Sequence, residues 1–62
     1  MLGKVLYYEI YICPEKPTEY GKYYGKTPLL VQARGVVETA RRGGKNLFIK
    51  AVYPGGIRIT LL

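Results

Sequence analysis

From Val5 to Cys13 the chain alternates with a period of two. Leu6, Tyr8, Ile10 and Ile12 fall on one side, and Val5, Tyr7, Glu9, Tyr11 and Cys13 on the other. Side chains of an extended strand point to opposite faces of a sheet, so this period commits the segment to a strand with one apolar face. A half-buried strand ordinarily turns polar residues to solvent. Here the second face carries two tyrosines around Glu9 in a chain of formal charge +6, which points to a surface that meets a partner.

At 62 residues the chain reads as one domain over 1–62. A chain of about 60 residues buries only roughly 60% of the surface its unfolded form exposes, so its own core leaves it marginal. Cys13 is the one cysteine and histidine is absent, so neither an internal disulfide nor a Cys/His zinc site adds stability. Dense packing or association with a second copy remains. Ser, Asp, His and Trp are absent while Lys, Arg, Glu, Tyr, Val and Ile are frequent, a usage like that of thermophile proteins. The lone thiol fits a reducing, cytoplasmic setting. No run approaches the roughly 20 apolar residues of a membrane span, and the start lacks the pattern of a secretory signal, so no membrane partner is expected.

Ten Lys and Arg face four Glu, with a pI of about 9.7. A polyanion is the natural partner of such a chain, and nucleic acid is the commonest, because each neutralised phosphate releases counterions and needs no pocket. The plainer reading is a charged surface that keeps the protein soluble.

Along the chain, residues 4–13 read as a first strand ending at Pro14, and 14–21 as a surface loop. Residues 22–25 read as a short second strand, with Tyr20, Lys22 and Tyr24 on one side and Tyr23 on the other. Thr27 as N-cap, Pro28 at the first helical position and Gly43-Gly44 as the left-handed stop predict a helix. Its apolar stripe is Leu29, Leu30, Ala33, Val36, Val37 and Ala40. Gly35 in its middle is expected where another backbone comes close, and Arg41 and Arg42 end it where the helix dipole favours cations. Residues 45–53 are apolar on both sides, as in a central strand. After Pro54-Gly55-Gly56, Ile57, Ile59 and Leu61 alternate with Arg58 and Thr60 in a last strand. The predicted fold is α+β: a small ββαββ domain, with a mainly antiparallel sheet and one amphipathic helix packed on one face.

One helix covers one face and leaves the other open. Stacking and phosphate neutralisation there fall to Tyr7, Tyr11, Lys22, Tyr24, Lys26, Lys50 and Arg58, with Arg41, Arg42 and Lys45 as a second basic cluster. Such a face resembles the aromatic platforms of RNA-recognition and oligonucleotide-binding folds, and implies largely sequence-independent binding of DNA or RNA. The alternative is a protein-interaction module, such as a viral or plasmid-encoded regulator or assembly subunit, or a homodimer that buries the same tyrosines against its own copy.

Complete catalytic motifs are missing. Gly21-x-x-x-Gly25-Lys26-Thr27 is one residue shorter than a phosphate-binding loop, and no aspartate exists to hold magnesium. Cys13 has no histidine to act as its base, and Glu9, Glu15, Glu19 and Glu38 are too scattered for paired acid-base work. The chain is therefore read as a non-enzyme with no catalytic residue, no metal, no cofactor and no small-molecule substrate.

Two resemblances bear on partners. Glu9-Ile10-Tyr11, then Tyr23-Tyr24-Gly25-Lys26-Thr27, with Arg34 in the following helix, resembles the start of a GIY-YIG nuclease domain over about residues 5 to 34. It implies a degenerate nuclease fragment whose active site would use the tyrosines and Arg34. Val31-Gln32-Ala33-Arg34-Gly35, with Ile10-Tyr11-Ile12 and Pro17, resembles a run in the Alba family of chromatin and RNA-binding proteins. Both imply nucleic acid.

Overall fold

In a computed structural model that describes residues 3–14 and 20–61, the alternating segment forms β1, Tyr7–Ile12. β2 follows at Lys22–Thr27, α1 at Leu30–Arg42, β3 at Leu47–Tyr53 and β4 at Ile57–Thr60. All neighbouring pairs are antiparallel and the sheet order is β2-β1-β3-β4. This is the expected α+β fold with one helix on one face. The loop expected at 14–21 falls largely on residues 15–19, outside the described residues.

Period two builds the core. Tyr8, Ile10 and Ile12 lie opposite Ala51, Ile49 and Leu47, and this face receives α1. Ile10, Leu47, Ile49 and Ala33 are buried together, with Leu30, Val36, Val37 and Ala40 of the helix stripe packed against them. Burying each large aliphatic side chain stabilises by roughly 1.5–3 kcal/mol. Among the described residues only the small Ala33 and Ala51 are essentially fully enclosed, as expected where one helix covers one face of the sheet. Leu6 and Leu29, both expected on the core side, are more than half exposed, because each lies just outside its element.

Two boundaries and one packing expectation differ from the sequence reading, each for a physical reason. β2 runs on through Lys26 and Thr27 because these pair with Glu9 and Tyr8 of β1. Thr27 is therefore a strand residue, and the N-cap is Leu29, which has no side-chain cap. Thr27 Oγ1 instead accepts from the Leu29 N–H at 3.4 Å, and the hydroxyl donates to Gln32 Oε1 at 2.6 Å. Gly25-Lys26-Thr27, one residue too short for a phosphate-binding loop in sequence, lies in a sheet ladder. Gly35 meets no close backbone, for a Cβ built there has nothing within 4 Å.

The helix stops as expected. Gly44 is left-handed at φ 85°, its N–H donates to Arg41 O at 3.0 Å, and Lys45 N–H donates to Ala40 O at 2.8 Å. These two bonds make a Schellman motif and occupy carbonyls that the helix end would otherwise leave unpaired. Gly55 and Gly56, both at positive φ, turn the chain from β3 into β4.

Candidate functional site

Because Tyr8, Ile10 and Ile12 face the helix, Tyr7, Glu9 and Tyr11 face the other way, opposite Val52, Lys50 and Phe48 of β3. β4 adds Arg58 opposite Val52, and Thr60 opposite Lys50. On β2, Lys26 lies opposite Glu9. The ladder then slips: Ile10 pairs with Gly25, but Tyr11 pairs with Tyr23, so Tyr24 is an extra residue in a bulge. That slip brings Tyr23, in place of Tyr24, to the open face. No described element covers this face.

Its side chains form one continuous layer. Tyr11 stacks on Phe48 with centroids 5.4 Å apart and planes 17° apart, and meets Tyr23 edge to face at 5.8 Å. Lys50 Nζ lies 4.7 Å from the Tyr11 ring centroid and 5.8 Å from that of Phe48, while Lys26 Nζ lies 5.0 Å from that of Tyr7. Offset aromatic pairs contribute about 0.5–1.5 kcal/mol beyond their buried area, and exposed cation–π contacts about 0.5–1 kcal/mol. Among these rings Tyr23 alone has no lysine of the described residues over it, and it is 51% exposed.

Gly21 makes room for the layer. A Cβ there would fall 2.6 Å from Phe48 Cζ and 3.2 Å from Ile12 O, so only glycine lets the Phe48 ring lie where it stacks on Tyr11.

Glu9 is the buried charge at the centre, 7% exposed. Arg58 Nε–H donates to its Oε1 at 2.7 Å, and the Tyr11 hydroxyl donates to the same oxygen at 3.0 Å. The bond from Arg58 holds the Glu9 carboxyl below its ordinary value of 4.5, against the opposing pull of burial, and Tyr11 and Lys50 help. Burial, followed by the hydrogen bond to Glu9, pushes the Tyr11 phenol above its ordinary 10.0. The face thus carries Lys26, Lys50 and Arg58 against one carboxylate, a net positive charge spread over three strands.

Of the residues proposed from the sequence, Tyr7, Tyr11, Lys26, Lys50 and Arg58 are brought together here. Lys22 is not, for it lies opposite Ile12 and so belongs to the helix side. Tyr24 also lies on that side, in an open trough with Thr27, Gln32, Val36 and Thr39. Arg41 and Arg42 project from the last turn of α1, within 3.8 and 3.9 Å of Glu38 in exposed pairs of small energetic worth. Lys45 follows the Schellman turn. All three thus lie at the C-terminal end of the helix, away from the open face. Sequence reasoning missed Tyr23, whose only signal was its neighbour's alternation, and the role of Gly21, which had none.

Arg34 lies on α1, beside Leu30, Val37 and Leu61, whereas Tyr11 and Tyr23 lie beyond the sheet. A site joining Arg34 to these tyrosines, as the nuclease resemblance implies, is not assembled. Cys13 is half-buried after β1, its N–H bonded to Asn46 O at 2.9 Å. Among the described residues, no helix is long and apolar enough to cross a membrane, and no three His, Cys, Asp or Glu side chains gather in one place. Compared with family models, curated proteins and solved structures, the chain matches none of them, so this layer of rings and cations is the ground on which a function is argued.

Proposed function

We propose that the chain binds nucleic acid, single strands in preference to duplex, across the open face of the sheet and without base-specific readout. The observation that carries this reading is the layer of Tyr7, Tyr11, Tyr23 and Phe48 interleaved with Lys26, Lys50 and Arg58 on a face that no described element covers, in a chain with charge +6. Phosphates meet the lysines, which sit above the rings and move aside easily on flexible stems. Bases then stack on the rings, each contributing about 1–3 kcal/mol. Stacking on these rings needs bases whose faces are not already paired and stacked in a duplex, hence the preference for single strands.

The face offers few base-reading groups. Glu9 Oε1 is already engaged by Arg58 and Tyr11, so base reading at the centre of the layer falls to the second carboxylate oxygen. Affinity from about three phosphate contacts has a single-strand salt slope near −2, so a rise from about 50 to about 200 mM salt weakens binding by roughly an order of magnitude.

Fluorescence anisotropy of labelled single- and double-stranded oligonucleotides at those two salt concentrations tests the proposal. Expected are tighter binding to single strands, the stated loss with salt, and a shallower slope for the Lys26→Gln/Lys50→Gln pair. No binding at the lower salt overturns it.

One observation favours the second reading, a protein-contacting module. Tyr20, Tyr23 and Tyr24 are 98%, 51% and 50% exposed on and just before β2, an edge rich in tyrosine. Binding through those residues would persist at high salt, where binding to nucleic acid fades.

A further inference from the structure

The two edges of the sheet are built differently. β2 is guarded by a bulge at Tyr24 and by Lys22 and Lys26, devices that keep an edge strand from pairing with another chain. β4, with sequence Ile-Arg-Ile-Thr, has no bulge, proline or lysine, and all four residues are exposed. Its single charge is drawn inward, since Arg58 is bonded to Glu9 at 2.7 Å.

We propose that β4 pairs antiparallel with β4 of a second copy of this chain across a two-fold axis at Ile59, giving a continuous eight-stranded sheet. This inference does not rest on the nucleic-acid reading. Leu61 N–H donates to Ile49 O at 2.7 Å, so by alternation the backbone groups of Ile57 and Ile59 also turn towards β3. Those of Arg58 and Thr60 turn outward, where no described strand meets them. An antiparallel pair centred on Ile59 sets Arg58 against Thr60 of the second copy and Thr60 against its Arg58, which is the hydrogen-bonded spacing these outward groups require. Like charges never face each other in this register.

The side chains agree. Ile57 and Ile59 are 43% and 37% exposed because α1 packs chiefly on β1, β2 and β3. In the proposed register, Ile59 lies beside Ile59 of the second copy and Ile57 beside its Leu61, so six aliphatic side chains gather between the two helices. A trough already runs along that side, with Leu30, Val37, Ile49 and Leu61 in it and Arg34, Glu38 and Arg41 of α1 also lining it.

Sedimentation equilibrium without nucleic acid, at about 100 µM, where a micromolar dimer is saturated, tests the proposal. Wild type is expected at twice 7.0 kDa. Thr60→Pro removes an outward N–H and keeps the ladder to β3, so a folded T60P is expected at the monomer mass. Amide exchange on the wild type gives a second readout that does not depend on that variant folding: the Arg58 and Thr60 amides are expected to be protected. A monomeric wild type, a folded T60P that remains dimeric, or rapid exchange at both amides would overturn it. Because no oligonucleotide is present, failure here leaves the binding face untouched.

Discussion

The two faces of one sheet make opposite uses of the same alternation. Towards α1 stand Ile10, Leu47, Ile49 and Ala51, aliphatic and buried. On the far side stand Tyr7, Tyr11, Phe48, Lys26, Lys50 and Arg58 around a buried carboxylate, with no described element above them. The first face is held by exclusion of water and is indifferent to salt and pH. The second is held by ring contacts, cations over rings and one charged hydrogen bond, all of which a polyanion or a change of pH can rearrange. A small chain can therefore place its stability on one face and leave the other polar enough to bind.

Breaking the aliphatic face should cost most. Ile49→Ala removes a buried side chain and is expected to destabilise by about 2–5 kcal/mol, a large part of the roughly 3–9 kcal/mol available to a chain of this size. Urea unfolding followed by far-UV circular dichroism measures it, and a cost below about 1 kcal/mol would contradict the core described above.

Next in size is Gly21→Ala, which strikes the open face from beneath. The new methyl group collides with Phe48 and must displace the ring, at a cost of about 1–3 kcal/mol. Near-UV dichroism from Tyr11 should change and oligonucleotide affinity should fall, while far-UV dichroism keeps its shape.

Glu9→Gln sharpens the electrostatic half of the comparison. It removes the acceptor of Arg58 and is expected to cost about 1 kcal/mol at neutral pH, the low end for a charged hydrogen bond because Arg58 is partly in water. Since the folded protein holds the Glu9 carboxyl below 4.5, its contribution is present above that value and is lost as pH falls through the lower folded value. Unfolding midpoints measured from pH 7 down to about 3 should fall more steeply in wild type than in the Gln variant.

Gly35→Ala is the smallest change and has the opposite sign. The site is an open helix position with nothing within 4 Å of the new methyl, so a gain of about 0.5–1 kcal/mol is expected by thermal unfolding.

How much of this was legible in the sequence follows from the reach of each signal. The period-two strand, the helix stripe and the Gly43-Gly44 stop are local patterns, and each appears in the fold. Thr27 misled because its preference for capping was overridden by pairing to Tyr8, a contact made across the hairpin. Tyr23 and Tyr24 were separated correctly onto two sides, but a bulge decides which side is which, and one extra residue in a ladder leaves no mark in composition. The Glu9–Arg58 bond joins residues 49 apart in sequence and depends on the strand order, which no local pattern records.

The central claim is that nucleic acid meets the open face of the sheet, and residue-resolved amide shifts during titration with a short single-stranded oligonucleotide test it most directly. The account predicts the largest shifts at Tyr7, Tyr11, Tyr23, Lys26, Lys50 and Arg58, with little change along α1. Shifts concentrated at Arg34, Arg41, Arg42 and Lys45, or none at all, would contradict it.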